Sequence, residues 1–391
     1  MQDQVLVLVL NAGSSSVKAE LLAPDCKPGE LTVVWRGQRD WQADQAGAIQ
    51  ALLDDWLAPQ LAGQRQAIQL VGHRVVHGGE RFTAPTRLEP AVLAAIEALV
   101  PLAPLHNGPA LAVMRWLIDW LPEAEQWACF DTAFHATIPP VHHTYALPQE
   151  WRREGLRRFG FHGLNHQHVG ETVARRRPAA RRLISCHLGA GCSLCAIVLP
   201  PSGAPRSIAT TLGFTPLEGL VMATRSGSVD PGLLLHQLER GLAPAELREV
   251  LNHRSGLLGL SGLSGSMREL RPAAAAGHAG ARLAIGVFEA RLVQEIAAMA
   301  AALGGADVIA LSGGIGEHDT ALRAGLAQQL GWLGRLEWLV VPADEEGVIA
   351  RSCLQSRSQS LRQPVSEDCS PESEDFPEVG AAGPECAGSP P

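Results

Sequence analysis

The sequence lacks the features that mark a membrane protein or a nucleic-acid-binding protein. No uncharged apolar run reaches the roughly 20 residues that a membrane span needs, and no stretch has the pattern of a secretory signal. There is no excess of positive charge either, because 32 Lys and Arg stand against 40 Asp and Glu in 391 residues, a net charge of −8. That balance argues against general nucleic-acid binding. We therefore expect a cytoplasmic protein with neither a membrane nor a nucleic acid as partner.

The sequence also lacks a cysteine pattern that predicts a zinc site. Cys192 and Cys195 form a CxxC motif, and no second pair accompanies it among the eight cysteines. A single pair is a poor zinc signal, so we interpret both as small strand residues. Free thiols fit a reducing compartment better than disulfides do.

Positive charge is missing from the C-terminal end of the chain. No Lys or Arg follows Arg362, whereas seven acidic residues do, so the rest of the chain is close to neutral. Residues 355–391 are rich in Ser, Pro, Glu and Gly and contain one aromatic residue, Phe376. Such a segment buries too little apolar surface to offset its ordering entropy. We expect a disordered acidic tail over 355–391.

What the sequence does contain is a short stretch around which the rest is organised. Residues 5–10 are apolar and predict a buried strand, and residues 17–21 alternate as a second strand does. Between them lies a turn of small residues in which Gly13 allows close approach of a ligand to the backbone. Such a concavity of N–H groups suits an anion, above all phosphate, although an ordinary hairpin with a polar turn has the same pattern.

The same pattern returns twice, which favours a duplicated domain. Residues 183–198 again predict strand, Gly-rich turn and strand, and residues 307–317 predict a strand that runs into Gly313–Gly316 and then a helix. Two copies imply a cleft between them, and a helix N-terminus there could hold a phosphate group. A length of 391 residues with 46% apolar residues is sufficient for two such α/β domains.

Nine blocks of sequence, in this order, resemble the acetate kinase family from Val5 to about Ala350. The blocks are NAGSSSVK, GHRVVHGGE, LAPLHN, FDTAFH, RRFGFHG, HLGAG, GFTPLEGL, TRSG and SGGIGEH. The resemblance implies two duplicated ribonuclease-H-like α/β domains with an interdomain cleft, the actin-like ATPase fold shared with sugar kinases and the heat-shock chaperone ATPase. It implies an acyl-substrate domain over 1–149 and a nucleotide domain over 150–354. The last helix, near 344–354, is a candidate to return to the first domain.

Two arginines are the central candidates for catalysis. Arg74 lies within an apolar strand, which is costly unless the guanidinium meets an anion or faces a cleft. A structural salt bridge is the alternative. The resemblance implies that Arg74 binds the substrate carboxylate or phosphoryl group and that Arg225 faces it from the second domain. A pair of guanidinium groups could then clamp a phosphoryl group in transfer.

The resemblance assigns further roles on the acyl side. It implies that Asp131 is an essential catalytic carboxylate, although an Asp in that place could also be a helix N-cap. It implies that His162 donates a hydrogen bond to the migrating phosphoryl group. The residues implied to form an apolar pocket for the substrate's methyl group are Val76, Leu105, Phe161 and Pro216.

The nucleotide and metal candidates come from the Gly-rich turns and from two later segments. Mg²⁺, with Mn²⁺ as an alternative, is expected near Asn11 and Glu345, although Glu at a helix start also suits the helix dipole. We interpret LAPLHN as a loop and Asp344–Glu346 as the start of a short helix. The candidate ATP-binding residues are Ser14, Ser16, Lys18, His187, Gly189, Ala190, Gly191, Ser266, Met267, Arg268, Gly313, Gly314, Ile315 and Gly316.

The implied activity is the reversible, Mg-dependent transfer of the ATP γ-phosphoryl group to acetate by direct in-line attack, which gives acetyl phosphate and ADP, in a homodimer. One methylene in an apolar pocket is worth only about 1–3 kcal/mol, so propionate or butyrate stays open as the acceptor. A catalytically weakened paralogue whose tail serves an interaction is a third hypothesis. It rests on departures from the family pattern, with Ala190 for a usual Asn, Ser266 for a usual Asp, and Leu164–Asn165 for Thr-Ser. The departures at Ala190 and Ser266 lie on the side of the site that is expected to bind the phosphoryl donor.

Overall fold

The apolar run near the N-terminus becomes the central strand of a mixed β-sheet. The computed structural model describes residues 5–13, 16–27, 29–41 and 47–362, and the statements below concern those residues. In them the first sheet has six strands in the order β3-β2-β1-β4-β6-β5. The strands are β1 Leu6–Ala12, β2 Ser16–Pro24, β3 Leu31–Asp40, β4 Ile68–Val75, β5 Thr86–Arg87 and β6 Glu125–Phe130.

The pairing within this sheet brings three polar residues to one edge. β1 and β2 are antiparallel, and Asn11 pairs with Lys18 beside the turn. β1, β4 and β6 are parallel to one another. Because parallel strands end at the same edge of a sheet, Asn11 at the end of β1, Arg74 at the end of β4 and Asp131 just after β6 lie together.

A second sheet repeats this connectivity. Its order among the described residues is β11-β10-β7-β8-β9, in which β7, β8 and β9 form an antiparallel meander and β10 and β11 run parallel to β7. The first sheet has the same antiparallel trio followed by parallel strands, which confirms the predicted fold class of two duplicated α/β domains. The strands are β7 Arg182–Leu188, β8 Cys192–Val198, β9 Arg206–Thr210, β10 Val308–Ser312 and β11 Glu337–Val340.

Helices cover the sheets, and none in the described residues has both the length and the apolar character that a membrane crossing requires. A π-helical segment at Leu53–Leu57 joins the first two helices. Short 3₁₀ helices lie at Arg65–Ala67, Val100–Leu102, Ala133–Thr137 and Gly331–Leu333. The α-helices are α1 Ala48–Leu52, α2 Ala58–Leu61, α3 Pro90–Ala98, α4 Pro104–Trp120, α5 Pro140–His143, α6 Gln149–Arg153, α7 Gly163–Arg176, α8 Pro231–Glu239, α9 Pro244–His253, α10 Gly256–Ser261, α11 Met267–Ala275, α12 Ala279–Leu303, α13 Gly313–His318, α14 Thr320–Gln329 and α15 Glu345–Ser360.

Each sheet has its own apolar core. In the second, Phe288 and Leu292 of α12 are buried against Ile184 of β7 and Leu194 of β8. In the first, α15 comes back from the end of the chain, and its Ile349 is buried in one cluster with residues of β1 and β4. This packing places the N-terminus of α15, with Glu345, at the same edge as Asn11. The proposed boundary between the two domains near residue 150 stays a prediction.

Two sequence-based assignments of local structure are wrong. LAPLHN is not a loop throughout, because Pro104 begins α4; a proline at the first position of a helix has the required φ and needs no N–H. GGIGEH is itself the short helix α13 rather than a turn before one. Gly313 starts this helix with a positive φ of 78°, which favours glycine. A side chain is also excluded there, because a Cβ would meet the backbone of Leu188.

The expected tail needs correction, and so does the interpretation of Arg152, Arg153, Arg157 and Arg158, which the sequence alone suggests are solvated helix charges. α15 continues to Ser360, so residues 355–360 belong to a helix; Arg357 in it lies 3.1 Å from the Glu125 carboxylate. Residues 363–391 lie outside the described residues. Arg158 is not a solvated helix charge, because it pairs with Glu218 and donates to three backbone carbonyls of the loop after β9, those of Thr210, Thr211 and Leu212.

The CxxC cysteines are buried strand residues on opposite faces of the second sheet. Cys192 belongs to the cluster under α12, and Cys195 belongs to the cluster under α7. Burial raises the pKa of both thiols to about 12. Side chains on opposite faces of one strand point away from each other, so this pair does not converge on a common ligand.

Gly72 in β4 lies at a point where α15 packs closely against the first sheet. A Cβ at this position would overlap the Ile349 side chain and come within 3.0 Å of Cys353 Sγ. Gly72→Ala should therefore lower the free energy of unfolding by about 1–3 kcal/mol, the usual cost of overpacking a core. Denaturant unfolding followed by far-UV circular dichroism measures the change.

Gly325 in α14 provides the matched control. No heavy atom lies within 4 Å of a Cβ built there, so Gly325→Ala should leave stability unchanged or raise it by about 0.5–1 kcal/mol. Equal stability of the Gly72→Ala protein and the wild type would contradict the described packing of α15.

Candidate active site

Arg74 is the centre of a hydrogen-bonded group at the C-terminal edge of the first sheet. Its Nε and Nη2 donate to the two carboxylate oxygens of Asp131, at 3.0 and 2.6 Å. Its Nη1 donates to Asn11 Oδ1 at 3.0 Å and lies 3.4 Å from Glu345 Oε2. A bidentate pair of this kind fixes the plane of the guanidinium as well as its position.

The charges of this group depend on one another. Burial alone would lower the pKa of Arg74, but Asp131 and Glu345 raise it above its ordinary value, so the guanidinium stays charged. Burial raises the pKa of Asp131, and the Arg74 guanidinium opposes that rise. Burial also favours neutral Glu345, yet Arg74, His187 and Lys18 lower its pKa. The group therefore contains a cation whose charge is balanced from two sides.

Carboxylate oxygens collect beside the turn between β1 and β2. Asn11 Nδ2 donates to Glu346 Oε1 at 3.1 Å and lies 3.5 Å from Glu345 Oε2. Lys18 lines the same space. The described residues contain no cluster of three or more His, Cys, Asp or Glu in position to hold a metal ion by themselves. One or two carboxylates are, however, enough protein ligands for Mg²⁺ when phosphates and water supply the others. The Asn11 oxygen is not directed at this place, because it accepts from Arg74.

His162 lies opposite, at the N-terminus of α7, with an unusual backbone conformation. Its φ of 56° is the only positive φ of a non-glycine residue in the described ranges. The residues on both sides are anchored: Gly163 N–H donates to the Asp131 carbonyl at 2.9 Å, and His135 donates to the Phe161 carbonyl at 3.0 Å. A strained backbone persists only where its surroundings hold it, so His162 is held in position rather than free to adjust.

Arg225 comes from the irregular segment between β9 and α8. Burial lowers the pKa of Arg225. The Arg74 guanidinium is close enough to lower it further, because two like charges repel each other. In contrast to Arg74, it makes no salt bridge with a carboxylate of the described residues. His106, in the first turn of α4, lies near both arginines, and burial followed by these two charges lowers its pKa to about 3. A buried guanidinium without a carboxylate partner, as Arg225 is in the described residues, is suited to bind an anion.

The four residues implied to form an apolar pocket differ in their burial, and the pocket stays a prediction. Val76, just after β4, and Phe161, just before His162, are buried in one cluster. Leu105 lies in the first turn of α4 with 39% of its surface exposed. Pro216 is half-buried in the loop that Arg158 and Glu218 hold. Of the four residues, only Val76 and Phe161 belong to the same buried cluster.

Two neighbouring cavities share part of their walls, and only the smaller is lined by residues of both sheets. The smaller, about 440 Å³, is bordered by Arg74, His162 and Glu345. The larger, about 760 Å³, extends away from it along α11, α13 and the start of α14. Gly189, Ala190 and Gly314 line both, so the cavities form one path along the Gly-rich turns.

Most nucleotide candidates lie on this path. Gly316 does not, because it is buried against Leu311 and Leu188. Ser14 lies outside the described residues. The smaller cavity is lined by Ser16, Lys18, His187, Gly189, Ala190, Gly191, Gly313 and Gly314. The larger is lined by Ser266, Met267, Arg268 and Ile315.

Sequence reasoning missed several residues at this site. His106 stands inside the LAPLHN block, and Glu346 follows Glu345 directly, so their positions alone could have made them candidates. Ser193 and His166, which contact His162 or its partners, carried no signal, because a buried Ser–His contact has no spacing rule in the sequence.

Comparisons of the sequence with known proteins all indicate the same family. The sequence profile of the Acetokinase family matches residues 6–363. Acetate kinases of a Synechococcus species and of Deinococcus radiodurans are each 44% identical to this chain, over 359 and 347 residues; each alignment covers 84% of this chain, and 88% and 86% of the relative.

Solved structures give a similar result. A propionate kinase from Francisella tularensis superposes with a TM-score of 0.79 at 32% identity, and Porphyromonas gingivalis acetate kinase with a TM-score of 0.77 at 32% identity. In both, the alignment covers 90% of this chain and 99% of the other.

The buried histidines predict how stability changes with pH. Burial lowers the pKa of His73, His77 and His135 to about 4, whereas the unfolded chain titrates near 6.5. Between these values the unfolded state binds more protons, so the free energy of unfolding should fall as pH falls from 7 towards 4. Removing one such group by His73→Gln should make the fall smaller by about 1 kcal/mol between pH 7 and 5.5.

Denaturant unfolding at several pH values measures this effect. His236→Gln, at an exposed position on α8, is the control and should leave the pH dependence as it is in the wild type. Identical pH dependence in His73→Gln and His236→Gln would show that His73 is not kept neutral by burial.

Proposed function

Because the chain belongs to the acetokinase family, we propose that it is an acetate kinase, which transfers the γ-phosphoryl group of ATP reversibly to acetate and forms acetyl phosphate and ADP. The observation that carries the proposal is the pair of arginines at the cleft. Arg74 is fixed by Asp131, and Arg225 approaches it without a carboxylate partner of its own in the described ranges. Such a pair suits a group that gains negative charge on transfer.

ATP would lie along the path formed by the two cavities. The larger cavity, about 760 Å³ with Met267 and Ile315 in its wall, suits the nucleoside. The Gly189 N–H already donates to the Gly191 carbonyl, so the backbone of Ala190, Gly191 and Gly314, which lines the smaller cavity, would meet the phosphates. That cavity leads on to Arg74 and His162.

The acceptor needs no general base. A short carboxylic acid is already ionised at neutral pH, so its oxygen can attack the γ-phosphorus as the bond to the leaving ADP oxygen breaks. Asp131 would then act by holding the Arg74 guanidinium rather than by removing a proton. His162, which lines the smaller cavity beside Arg74, and Arg225, whose pKa the Arg74 guanidinium lowers, would stabilise the equatorial oxygens.

We propose Mg²⁺ as the metal that accompanies ATP, with Mn²⁺ as an alternative. Glu345 and Glu346 supply the carboxylate oxygens that would hold it, directly or through water. Asn11 would orient these carboxylates through its amide nitrogen, because its oxygen accepts from Arg74. The lowered pKa of Glu345 keeps that carboxylate ionised. When bound, the ion would neutralise part of the charge of the phosphates.

Propionate or butyrate is the second candidate acceptor, because one similar structure is that of a propionate kinase. Val76 and Phe161 would contact the alkyl end, and an extra methylene changes binding there by only about 1–3 kcal/mol. A homodimer in the cytoplasm is the assembly that we propose from the family.

The activity is tested by trapping acyl phosphate as the hydroxamate. Acetate, propionate and butyrate are each incubated with ATP, GTP or pyrophosphate, and acetate with ATP should turn over with the highest kcat/KM. Product with propionate or butyrate but not with acetate would favour the second candidate. Absence of product with every pair would contradict a kinase and favour a weakened paralogue.

Arg225→Ala tests the role of the second arginine. Its loss should cost about 3–5 kcal/mol of transition-state stabilisation, the range of an arginine finger, which appears as a loss of kcat/KM of more than a hundredfold. Arg240→Ala, at an exposed position after α8, is the matched control and should retain wild-type rates. Near-normal turnover by the Arg225→Ala protein would remove the proposed clamp.

Ala190→Asn tests the donor side. Ala190 is exposed where the two cavities meet, and the resembling family has Asn there, so an amide at this position should gain a hydrogen bond to the phosphates. KM for ATP should fall about 3–10-fold, the value of one ordinary hydrogen bond, with kcat nearly unchanged. A higher KM would show that the nucleotide does not pass residue 190.

A further inference from the structure

One serine hydroxyl connects two buried histidines beside the cleft. Ser193 Oγ lies 2.9 Å from His162 Nδ1 and 2.8 Å from His166 Nε2. The other nitrogen of His166, Nδ1, lies 2.8 Å from Ser185 Oγ. Ser185, Ser193 and His166 have no exposed surface, so water does not compete for these bonds.

The number of protons in this chain favours two arrangements. Burial lowers the pKa of His162 and of His166 well below the ordinary value, so each ring is neutral and carries one N–H. The Ser193 hydroxyl has one hydrogen, so it can donate to only one ring. If it accepted from both rings, its own hydrogen would be buried without either histidine as a partner, which is costly. The favourable arrangements are therefore those in which Ser193 donates to one ring and accepts from the other. The direction of the whole chain is thus set at a single hydroxyl group.

The two directions differ at the nitrogen that faces the cleft. A Cβ on Gly191 would lie 3.2 Å from His162 Nε2, so this atom points to the Gly-rich turn on the wall of the smaller cavity. If Ser193 donates to Nδ1, Nε2 carries the hydrogen and presents a donor. If Ser193 accepts from Nδ1, Nε2 presents a lone pair, which would repel the oxygens of a phosphoryl group.

The backbone around His162 is anchored on both sides, so the imidazole ring cannot easily shift to a different hydrogen-bond partner. The Phe161 carbonyl can only accept, so His135 Nε2 carries a hydrogen and anchors the chain just before His162. The bond from Gly163 N–H to the Asp131 carbonyl anchors it just after. The positive φ of His162 is held between these two anchors, so the ring cannot easily move to another partner.

We propose that Ser193, itself oriented by His166, is a positioning residue that donates to His162 Nδ1 and so keeps the hydrogen of His162 on Nε2, directed into the cleft. His166 Nε2–H then donates to Ser193, and Ser185 donates to His166 Nδ1. The inference rests on the proposed function for the direction of the chain, because a phosphoryl group in the cleft requires a donor at Nε2. The arrangement of hydrogens is a property of the free protein.

The first test reads the tautomer directly and requires no activity. Long-range ¹H–¹⁵N spectra of histidine-labelled protein distinguish Nδ1–H from Nε2–H, and a His162→Gln protein identifies the resonances of His162. Wild type should show Nε2–H at His162. Ser193→Ala should convert it to Nδ1–H or to a mixture.

Ser185→Ala is the matched control. It removes an equally buried hydroxyl that bonds to the same His166 ring at the same 2.8 Å, but on the side away from His162. His162 should therefore keep the hydrogen on Nε2 in this variant. Ser193→Thr, which retains a hydroxyl, should also keep it there. If Ser193→Ala does not fold, Ser193→Cys, a weaker donor of similar size, takes its place.

The second test is kinetic. Ser193→Ala should lower kcat by about 10–100-fold, as is typical when a supporting partner of a functional histidine is lost, and should change KM for ATP by less than about threefold. Ser193→Thr should restore most of kcat, and Ser185→Ala should stay within about threefold of wild type. A purely structural role would instead affect both serine variants alike.

The outcomes separate the two proposals. An unchanged His162 tautomer in Ser193→Ala, or kcat equal to that of Ser185→Ala, overturns the role of Ser193. An Nδ1–H tautomer in the wild type overturns it as well. If the tautomers behave as expected but no acyl phosphate forms with any substrate pair, the positioning role stands and the proposed function fails.

Discussion

The bidentate pair of Arg74 and Asp131 is the interaction on which the rest of the site depends. A guanidinium at the end of a buried strand is unfavourable unless carboxylates balance it, and Asp131 does so with 1% of its side chain exposed. Three parallel strands bring Asn11, Arg74 and Asp131 to one edge, and α15 adds Glu345. The chain therefore has to close its C-terminal helix on the first sheet before the charge of Arg74 is fully balanced.

Much of this arrangement could be predicted from the sequence, because short local patterns indicate the strands, the turns and the buried charge. The alternation of residues 5–22 and its return at 183–198 predicted two hairpins, and the structure forms them as β1–β2 and β7–β8. Arg74 was recognisable because a charge within an apolar strand needs a partner. The residue blocks of the family then indicated Asp131, His162 and Arg225, whose roles stay predictions.

The rest could not be predicted because it depends on contacts distant in sequence. The burial of α15 against β1 and β4 joins residues about 280 to 340 positions apart, and the helical pattern of α15 alone does not say which sheet it covers. Ser193 meets His162 across the boundary between a strand and a helix start, for which no spacing rule exists. Arg158 follows the exposed Arg152 and Arg153 in a run of arginines, yet it donates to the carbonyls of residues 210–212. In each case tertiary packing, not local propensity, determined the outcome.

The distribution of charge explains why the histidines must be controlled so closely. Arg74 is balanced by Asp131 and Glu345, so the main uncompensated positive charge next to it is Arg225. His106, His162 and His187 all have a lowered pKa and add no charge at neutral pH. They can act only through the direction of single hydrogen bonds. A neutral imidazole helps or hinders an anion according to which nitrogen carries the hydrogen, so in this site the hydrogen-bonding partners of a histidine matter as much as the position of its ring.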